Sequence, residues 1–250
     1  MLKTTAFLAV LVGVSTLAGA EPSPATRPRL LVVTVTKGFR HASIPTAESV
    51  LQKLADASGA FSLDFARTDE ELKQKASAEG LKGYAGAVFA STTGDLPLAS
   101  PAAFLDWIAG GRAFVGIHSA SDTFHGFPAF LDMLGGEFDR HGAQARVQLG
   151  VEDPKHPSAH EIAFPPSVLD EIYLFKRFDR DRVHMVLALD KHPNTGEAGF
   201  YPIAWTREHG RGRVFYTALG HREDVLESDW YGKHLLGGIR WALDATAAAQ

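Results

Sequence analysis

No cysteine occurs in the 250-residue sequence, so disulfides, thiolate nucleophiles and thiolate metal sites are all excluded. Any chemistry has to come from His, Asp, Glu, Ser, Tyr or a bound ion. Concentrated basic charge is also missing: 25 Lys and Arg stand against 29 Asp and Glu, for a formal net charge of -4, and there is no basic run. A phosphate backbone is held mainly by clustered Lys and Arg, so nucleic acid is not an expected partner. Beyond residue 20 no apolar stretch approaches the roughly 20 residues that span a bilayer, and no stable membrane insertion is expected of the mature chain. What remains, 45% apolar and 22% charged residues, fits one large globular domain.

The amino terminus carries a targeting pattern. Lys3, the apolar core Ala6 to Leu17 and the small residues Ala18-Gly19-Ala20 read as a signal peptide over residues 1–20, cleaved before Glu21. Residues 21–28 form a Pro-rich lead, and residues 29–247 read as a single domain of a periplasmic or secreted protein. A domain of this size can be stable without disulfides.

From Arg29 onward, apolar strand runs alternate with helical stretches. Leu30 to Thr36, Phe61 to Ala66, Tyr84 to Ala90 and Ala113 to Ile117 read as strands. Between them lie three helices: one started by Ser43 and Pro45 and ended by Gly59, one opened by the capping-box spacing Thr68 to Glu71, and one started by Ser100-Pro101. Such repetition predicts a parallel sheet with helices on both faces. The second half changes texture. Ala145 to Val151, Ile172 to Phe178, Val183 to Leu189 and Tyr201 to Trp205 read as strands of a β-rich extension, followed by a last buried strand, Val214 to Ala218, and a helix from about Lys233 to Ala247.

Three histidines fall at strand ends on this map. His41 lies just past the first strand, His118 ends the fourth, and His221 follows the last. Open α/β sheets bind ligands at the carboxyl ends of their strands, so independent delivery of three imidazoles there points to a site. Gly116-Ile117-His118-Ser119-Ala120 has the shape of a strand-to-helix elbow that raises one side chain above the sheet edge, here an imidazole. His141 and Asp122 are near enough in sequence to join from neighbouring loops.

The strings KGFRHASI, VGIHSASDTF, VEDPKHPS, YPIAW and FYTALGH followed by KHLLGGIRWAL, in that order from about Leu30 to Leu243, resemble the ThuA-like, or trehalose-utilisation, family. The resemblance implies a class I glutamine amidotransferase-like, flavodoxin-like fold. It sets His118 where those amidotransferases carry a catalytic cysteine, and His221-Arg222-Glu223 where they carry His-Pro-Glu. Their thioester chemistry therefore cannot operate here. Tyr201 stands where the family often has histidine, and Asp170-Glu171 with Tyr173 resembles the family's Asp-Glu-x-Tyr segment, which adds a carboxylate. The resemblance further implies carbohydrate metabolism, with trehalose, related disaccharides or their 3-keto forms as substrates.

Two chemistries fit such a crevice. In the preferred one, His118 and His221 act as general acid and base, Glu223 orients His221, and Arg40, His41, Ser119, Asp122 and Tyr201 contact substrate. In the other, His41, His118, His141 or His221 combine with a carboxylate to hold a divalent metal such as Zn²⁺. There is no compact His-Glu-x-x-His motif, so a metal site would have to assemble from distant segments. The expected activity is that of a carbohydrate-active hydrolase, lyase or isomerase. The alternatives are a non-catalytic sugar-binding protein that retains the fold and an interaction partner of an exported oxidoreductase. Phe39, Phe124, Phe127, Tyr201, Trp205 and Trp230 are either sugar-stacking surfaces or ordinary packing.

Overall fold

The computed structural model describes residues 27–160, 162 and 167–248, with side chains through residue 244. The expected signal peptide and most of the Pro-rich lead lie outside the described residues. The first half runs β1 (Arg29–Val33), α1 (Ile44–Ser58), β2 (Ser62–Ala66), α2 (Asp69–Lys75), β3 (Gly86–Ala90), α3 (Pro101–Ala109), β4 (Ala113–Ile117) and α4 (Pro128–Leu134). Local chemistry accounts for these boundaries. Pro occupies the first turn of α1, α3 and α4, and α1 ends at Gly59 in the left-handed region with φ 62. The Thr68 hydroxyl accepts from the Glu71 amide while the Glu71 carboxylate accepts from the Thr68 amide, so the capping box at α2 is complete.

The second half runs β5 (Glu137–His141), β6 (Ala145–Gln148), β7 (Gly150–Val151), β8 (Ser167–Asp170), β9 (Tyr173–Lys176), β10 (His184–Lys191), β11 (Ala198–His209), β12 (Gly212–Thr217), α5 (Glu223–Leu226) and α6 (Asp229–Ala248). Eight strands form one sheet in the order β2-β1-β3-β4-β12-β11-β10-β7. The first five are parallel, in the flavodoxin-like order, and β11, β10 and β7 continue the sheet antiparallel. The sheet is therefore mixed, with the β-rich extension joined to its β12 edge. Two antiparallel ribbons, β5 with β9 and β6 with β8, complete that extension.

Several elements differ from the sequence expectation. The run Ala145 to Val151 divides at Leu149, its first part pairing with β8 and its last with β10. The strand expected at Tyr201 to Trp205 is the middle of the longer β11. α4, β5 and β8 were not anticipated; β5, with the sequence EFDRH, is largely exposed and shows no apolar alternation to mark it. Among the described residues, no helix is long and apolar enough to cross a membrane.

Both faces of the sheet are packed. α1, α5 and α6 cover one, with Leu51, Leu226, Leu235 and Ile239 fully buried or nearly so, while α2, α3 and α4 cover the other through Leu72, Phe104, Ile108 and Phe130. Trp205 and Phe124 belong to this second core and cannot stack on a ligand. Trp205 is fully buried, with its indole N–H donating to the Leu134 carbonyl at 2.8 Å.

Two neutral histidines lie in the α6 layer. The His234 Nδ1–H donates to the Ser158 carbonyl at 2.9 Å, and burial pulls its pKa down to about 4. His156 accepts the Ser158 amide on Nδ1 at 3.2 Å, and burial likewise brings it to about 4. The unfolded chain takes up these protons near pH 6.5, before the folded protein does, so their stabilisation is complete above that pH and declines as pH falls towards 4. His125 works the other way. Burial pulls its pKa down, but Glu137 and Asp122 on either side outweigh this and raise it. The expected result is that the stability advantage of the wild type over His234→Gln shrinks by about 2 kcal/mol between pH 7.5 and pH 5. Urea unfolding of both proteins at the two pH values checks this, and a constant difference would refute it.

Candidate active site

His118 terminates β4 at φ 51, an unusual backbone conformation for a residue other than glycine. The chain continues into a 3-10 turn, His118–Asp122, rather than an α-helix. The elbow is held by Tyr216, whose hydroxyl donates to the His118 carbonyl at 2.7 Å and bonds to the Ser121 hydroxyl at 2.8 Å. A side chain at Gly116 would place its Cβ 2.9 Å from the Tyr216 ring, so glycine permits the close packing beneath the turn. The imidazole of His118 is fully buried. Its Nδ1–H donates to the Ala218 carbonyl at 2.8 Å, which leaves a lone pair on Nε2.

Two further strand ends and one ribbon converge on that nitrogen. His41, from the loop between β1 and α1, sets its Nε2 3.2 Å from His118 Nε2, with its Nδ1 3.4 Å from the Ser119 hydroxyl. Tyr173, at the start of β9, donates its hydroxyl to the same His118 nitrogen at 3.0 Å. Glu171, in the two-residue connection between β8 and β9, brings Oε1 to 3.7 Å from His118 Nε2 and 3.3 Å from His221 Nδ1. His221 arrives from the loop after β12. One ligand atom from each of His41, His118, Glu171 and His221 lies within 4.8 Å of all the others.

Asp170 joins the two halves of this arrangement. Its fully buried carboxylate accepts the Gly220 amide at 2.8 Å, the Arg222 amide at 3.1 Å and the Glu171 amide at 2.9 Å. It thereby fixes both the turn that presents Glu171 and the loop that presents His221. Gly220 has φ 115, and a Cβ there would meet the Tyr231 hydroxyl at 2.9 Å, so this loop requires glycine.

Electrostatics differ across the cluster. Burial, with the neighbouring His221, pulls His41 down to about 4, and burial, with His41, puts His118 well below the usual imidazole value. Both rings are therefore neutral at neutral pH, with lone pairs available as ligands. The Glu171 carboxylate raises His221. Burial pushes Glu171 itself upward, but His221, His141 and His41 together outweigh that and hold it below the usual carboxylate value.

The remaining expected residues occupy different places. His141, at the end of β5, stands 3.1 Å from Glu171 Oε2 with its side chain 42% exposed, on the rim rather than inside the cluster. Glu223 makes no ion pair with His221 among the described residues; Glu171 is the carboxylate beside that ring, so the expected orienting role of Glu223 is corrected. Asp122 is bound to His125 at 2.6 Å, and Arg40 donates to the Thr34 carbonyl at 3.0 Å. Tyr201 lines a separate aromatic hollow with Phe178, Phe200 and His192. Glu171 was visible in the sequence only through the Asp-Glu-x-Tyr resemblance, because it lies at no strand end of the parallel sheet.

The donor set fits a divalent ion. A tetrahedral Zn²⁺ with bonds of about 2.05 Å holds its ligands roughly 3.3 Å apart. Three of the six pairs here stand at 3.2 Å, 3.3 Å and 3.7 Å, and all six lie within 4.8 Å, so modest closure would bring the set to that spacing. His41 and Tyr173 both direct hydrogen-bonding groups at the single in-plane lone pair of His118 Nε2, which cannot serve both well. The buried His221 Nδ1 completes no hydrogen bond despite its nearness to Glu171. Three imidazole nitrogens with one carboxylate oxygen suit zinc or a similar transition metal.

The family described as ThuA, trehalose utilisation, matches residues 29–242. The chain belongs to the ThuA family. No curated protein matches it. Among solved structures, a ThuA-like protein from Parabacteroides merdae is similar at 19% identity and TM-score 0.69, covering 87% of this chain and 90% of that one. A ThuA-like protein from Bacteroides uniformis is similar at 21% identity and TM-score 0.68, covering 90% and 94%. A β-galactosidase from Rahnella sp. R3 shares the fold over 85% of this chain and 31% of its own, at 10% identity and TM-score 0.52. At such identities the likeness shows a shared fold. The ThuA assignment connects the chain with carbohydrate use, and the mixed sheet agrees with the α/β fold expected of the family.

Proposed function

We propose that this ThuA family member is an exported carbohydrate-active enzyme in which His41, His118, His221 and Glu171 hold a divalent metal ion such as Zn²⁺. The observation that carries this is the convergence of four ligand atoms, from four separate segments, within 4.8 Å. When bound, the ion supplies Lewis-acid polarisation of a carbonyl or hydroxyl oxygen. The residues around it have distinct tasks. His118, enclosed and hydrogen-bonded through Nδ1 to Ala218, keeps Nε2 turned to the cluster and is a ligand rather than a proton shuttle. His41 is likewise buried, and its ring is set by Phe39 on one side and His118 on the other. Tyr173 keeps its proton, because burial raises its pKa; once His118 Nε2 gives an ion the lone pair that the hydroxyl now uses, that hydroxyl is free to donate to a bound oxygen beside the cluster. His141 is open to solvent against Glu171 and is the imidazole placed to move a proton to or from a sugar hydroxyl or the carbon next to a carbonyl.

This replaces the two-histidine acid–base scheme with a division between buried ligands and an exposed proton carrier. The substrates that suit it are trehalose-related disaccharides and their keto forms. The test is elemental analysis of protein purified without added metal, followed by incubation with oxidised and unoxidised disaccharides, product detection by mass spectrometry, and repetition after chelation. About one ion per chain and chelator-sensitive turnover are expected. A protein that neither carries nor takes up an ion, or whose turnover is indifferent to chelation, would refute the metal assignment.

A further inference from the structure

A cleft of about 450 Å³ opens beside His221 and is not used by the cluster itself. Phe39 forms one wall and is 67% exposed, the one large apolar side chain left exposed among the described residues. Its ring meets His41 edge to face, with centroids 4.8 Å apart, so it is braced against the candidate ligand set while most of it faces water. Isolated apolar exposure of this kind is ordinary; exposure on the rim of a cleft that leads to four convergent polar groups is not.

The remaining lining is largely polar. Arg222 is fixed by two bonds to Asp224, at 2.8 Å and 3.0 Å, and by one to the Gln144 side-chain oxygen at 2.9 Å. The Glu223 and Glu227 carboxylates line the same cleft and accept no hydrogen bond from another side chain among the described residues. Three carboxylates against one guanidinium give this wall a net negative charge, which repels an anionic ligand. The Phe39 face, by contrast, carries no charge and takes an apolar surface. An uncharged molecule with one apolar face and several hydroxyls satisfies both walls.

We infer that the cleft is the sugar subsite of the cluster: an uncharged pyranose ring lays its C–H face on Phe39 and presents hydroxyls to Glu223, Glu227 and Gln144, with the reacting end directed at His221. This rests on the reading of the cluster as a carbohydrate site and adds which ring is held and by what. Phe39 is here a specificity-determining residue that touches the substrate without taking part in proton or ion chemistry.

The experiment is calorimetric titration of the protein, both ion-stripped and zinc-loaded, with trehalose and trehalose 6-phosphate. Trehalose is expected to bind, with the phosphorylated sugar at least tenfold weaker. Phe39→Ala is expected to weaken trehalose at least tenfold, and Phe39→Trp to keep it within about threefold, because either aromatic face offers a broad apolar surface to the C–H face of a sugar. Phe39 is exposed, so neither change should alter folding; because its ring also packs on His41, the variants are compared in the ion-stripped protein, where a change in zinc affinity cannot contribute. Unchanged binding by Phe39→Ala, preference for the phosphorylated sugar, or no binding of trehalose at all overturns the proposal. Zinc content separates the two readings: a full ion site without sugar binding sinks the subsite alone, while Phe39-dependent binding in a protein that takes up no zinc leaves the subsite and sinks the ion assignment.

Discussion

His118→Asn is expected to bind zinc at least about 100-fold more weakly than the wild type, because loss of even an outer partner of a metal ligand costs 10–100-fold. Turnover on any accepted disaccharide is expected to fall by a similar factor. Asparagine is preferred to alanine for this test because it tolerates positive φ, and His118 sits at φ 51. Its amide can still donate to the Ala218 carbonyl, now held by the imidazole Nδ1–H at 2.8 Å, so the elbow keeps an anchor while the Nε2 lone pair is removed. Competition with a chelator of known affinity gives the first number and product formation the second. Retention of both would take His118 out of the ligand set. Intact zinc affinity with lost turnover would return it to acid–base work.

Asp170→Ala is expected to have the largest effect on stability. Three backbone amides, those of Glu171, Gly220 and Arg222, lose their acceptor in a fully buried setting. An unsatisfied buried donor costs about 1–3 kcal/mol, and because the three share one acceptor their costs do not simply add. A loss of about 4 kcal/mol is the expected sum, or roughly 10 °C in melting temperature for a domain of this size. Asp170→Asn keeps one oxygen and turns an NH₂ towards the remaining donors, so it should recover part of the loss. Because Asp170 sets both Glu171 and His221, zinc affinity is expected to fall together with stability in both variants. Thermal unfolding paired with the chelator titration decides this. A variant that melts as the wild type does, or that loses stability with its zinc affinity intact, would show that Asp170 does not position the site.

Much of the scaffold could be read directly from the residues. The capping box at Thr68, the prolines that open α1 and α3, and the wholly buried runs of β3 and β4 are local signals, and each appears where it was expected. The strand-end placement of His41, His118 and His221 follows from the same regularity, since a parallel sheet carries all its carboxyl ends to one edge. One strand of each ribbon, β6 and β9, falls in a run read as strand, but the partners β5 and β8 did not announce themselves. β5 is polar and mostly exposed, so no alternation marks it, and the pairing of β9 with β5 depends on contacts that no local pattern encodes. Tyr173 reaches the cluster through that pairing, and Glu171 through the β8–β9 turn that Asp170 fixes. The role expected of Glu223 failed for a related reason: proximity in sequence to His221 suggested a partner, whereas α5 starts at Glu223 and carries its carboxylate to the outer cleft.

The four candidate ligands come from the β1–α1 loop, the β4 elbow, the β8–β9 turn and the loop after β12. Each belongs to a different crossing of the sheet edge, and one comes from the ribbons rather than from the sheet. An ion held by all four is therefore a cross-link between segments that are remote along the chain, in a protein that has no disulfide to do that work. Its binding free energy becomes folding free energy, about 2.7 kcal/mol when free ion is a hundredfold above its dissociation constant. Tuning of the chemistry and fastening of the ribbons to the sheet then depend on the same small set of side chains.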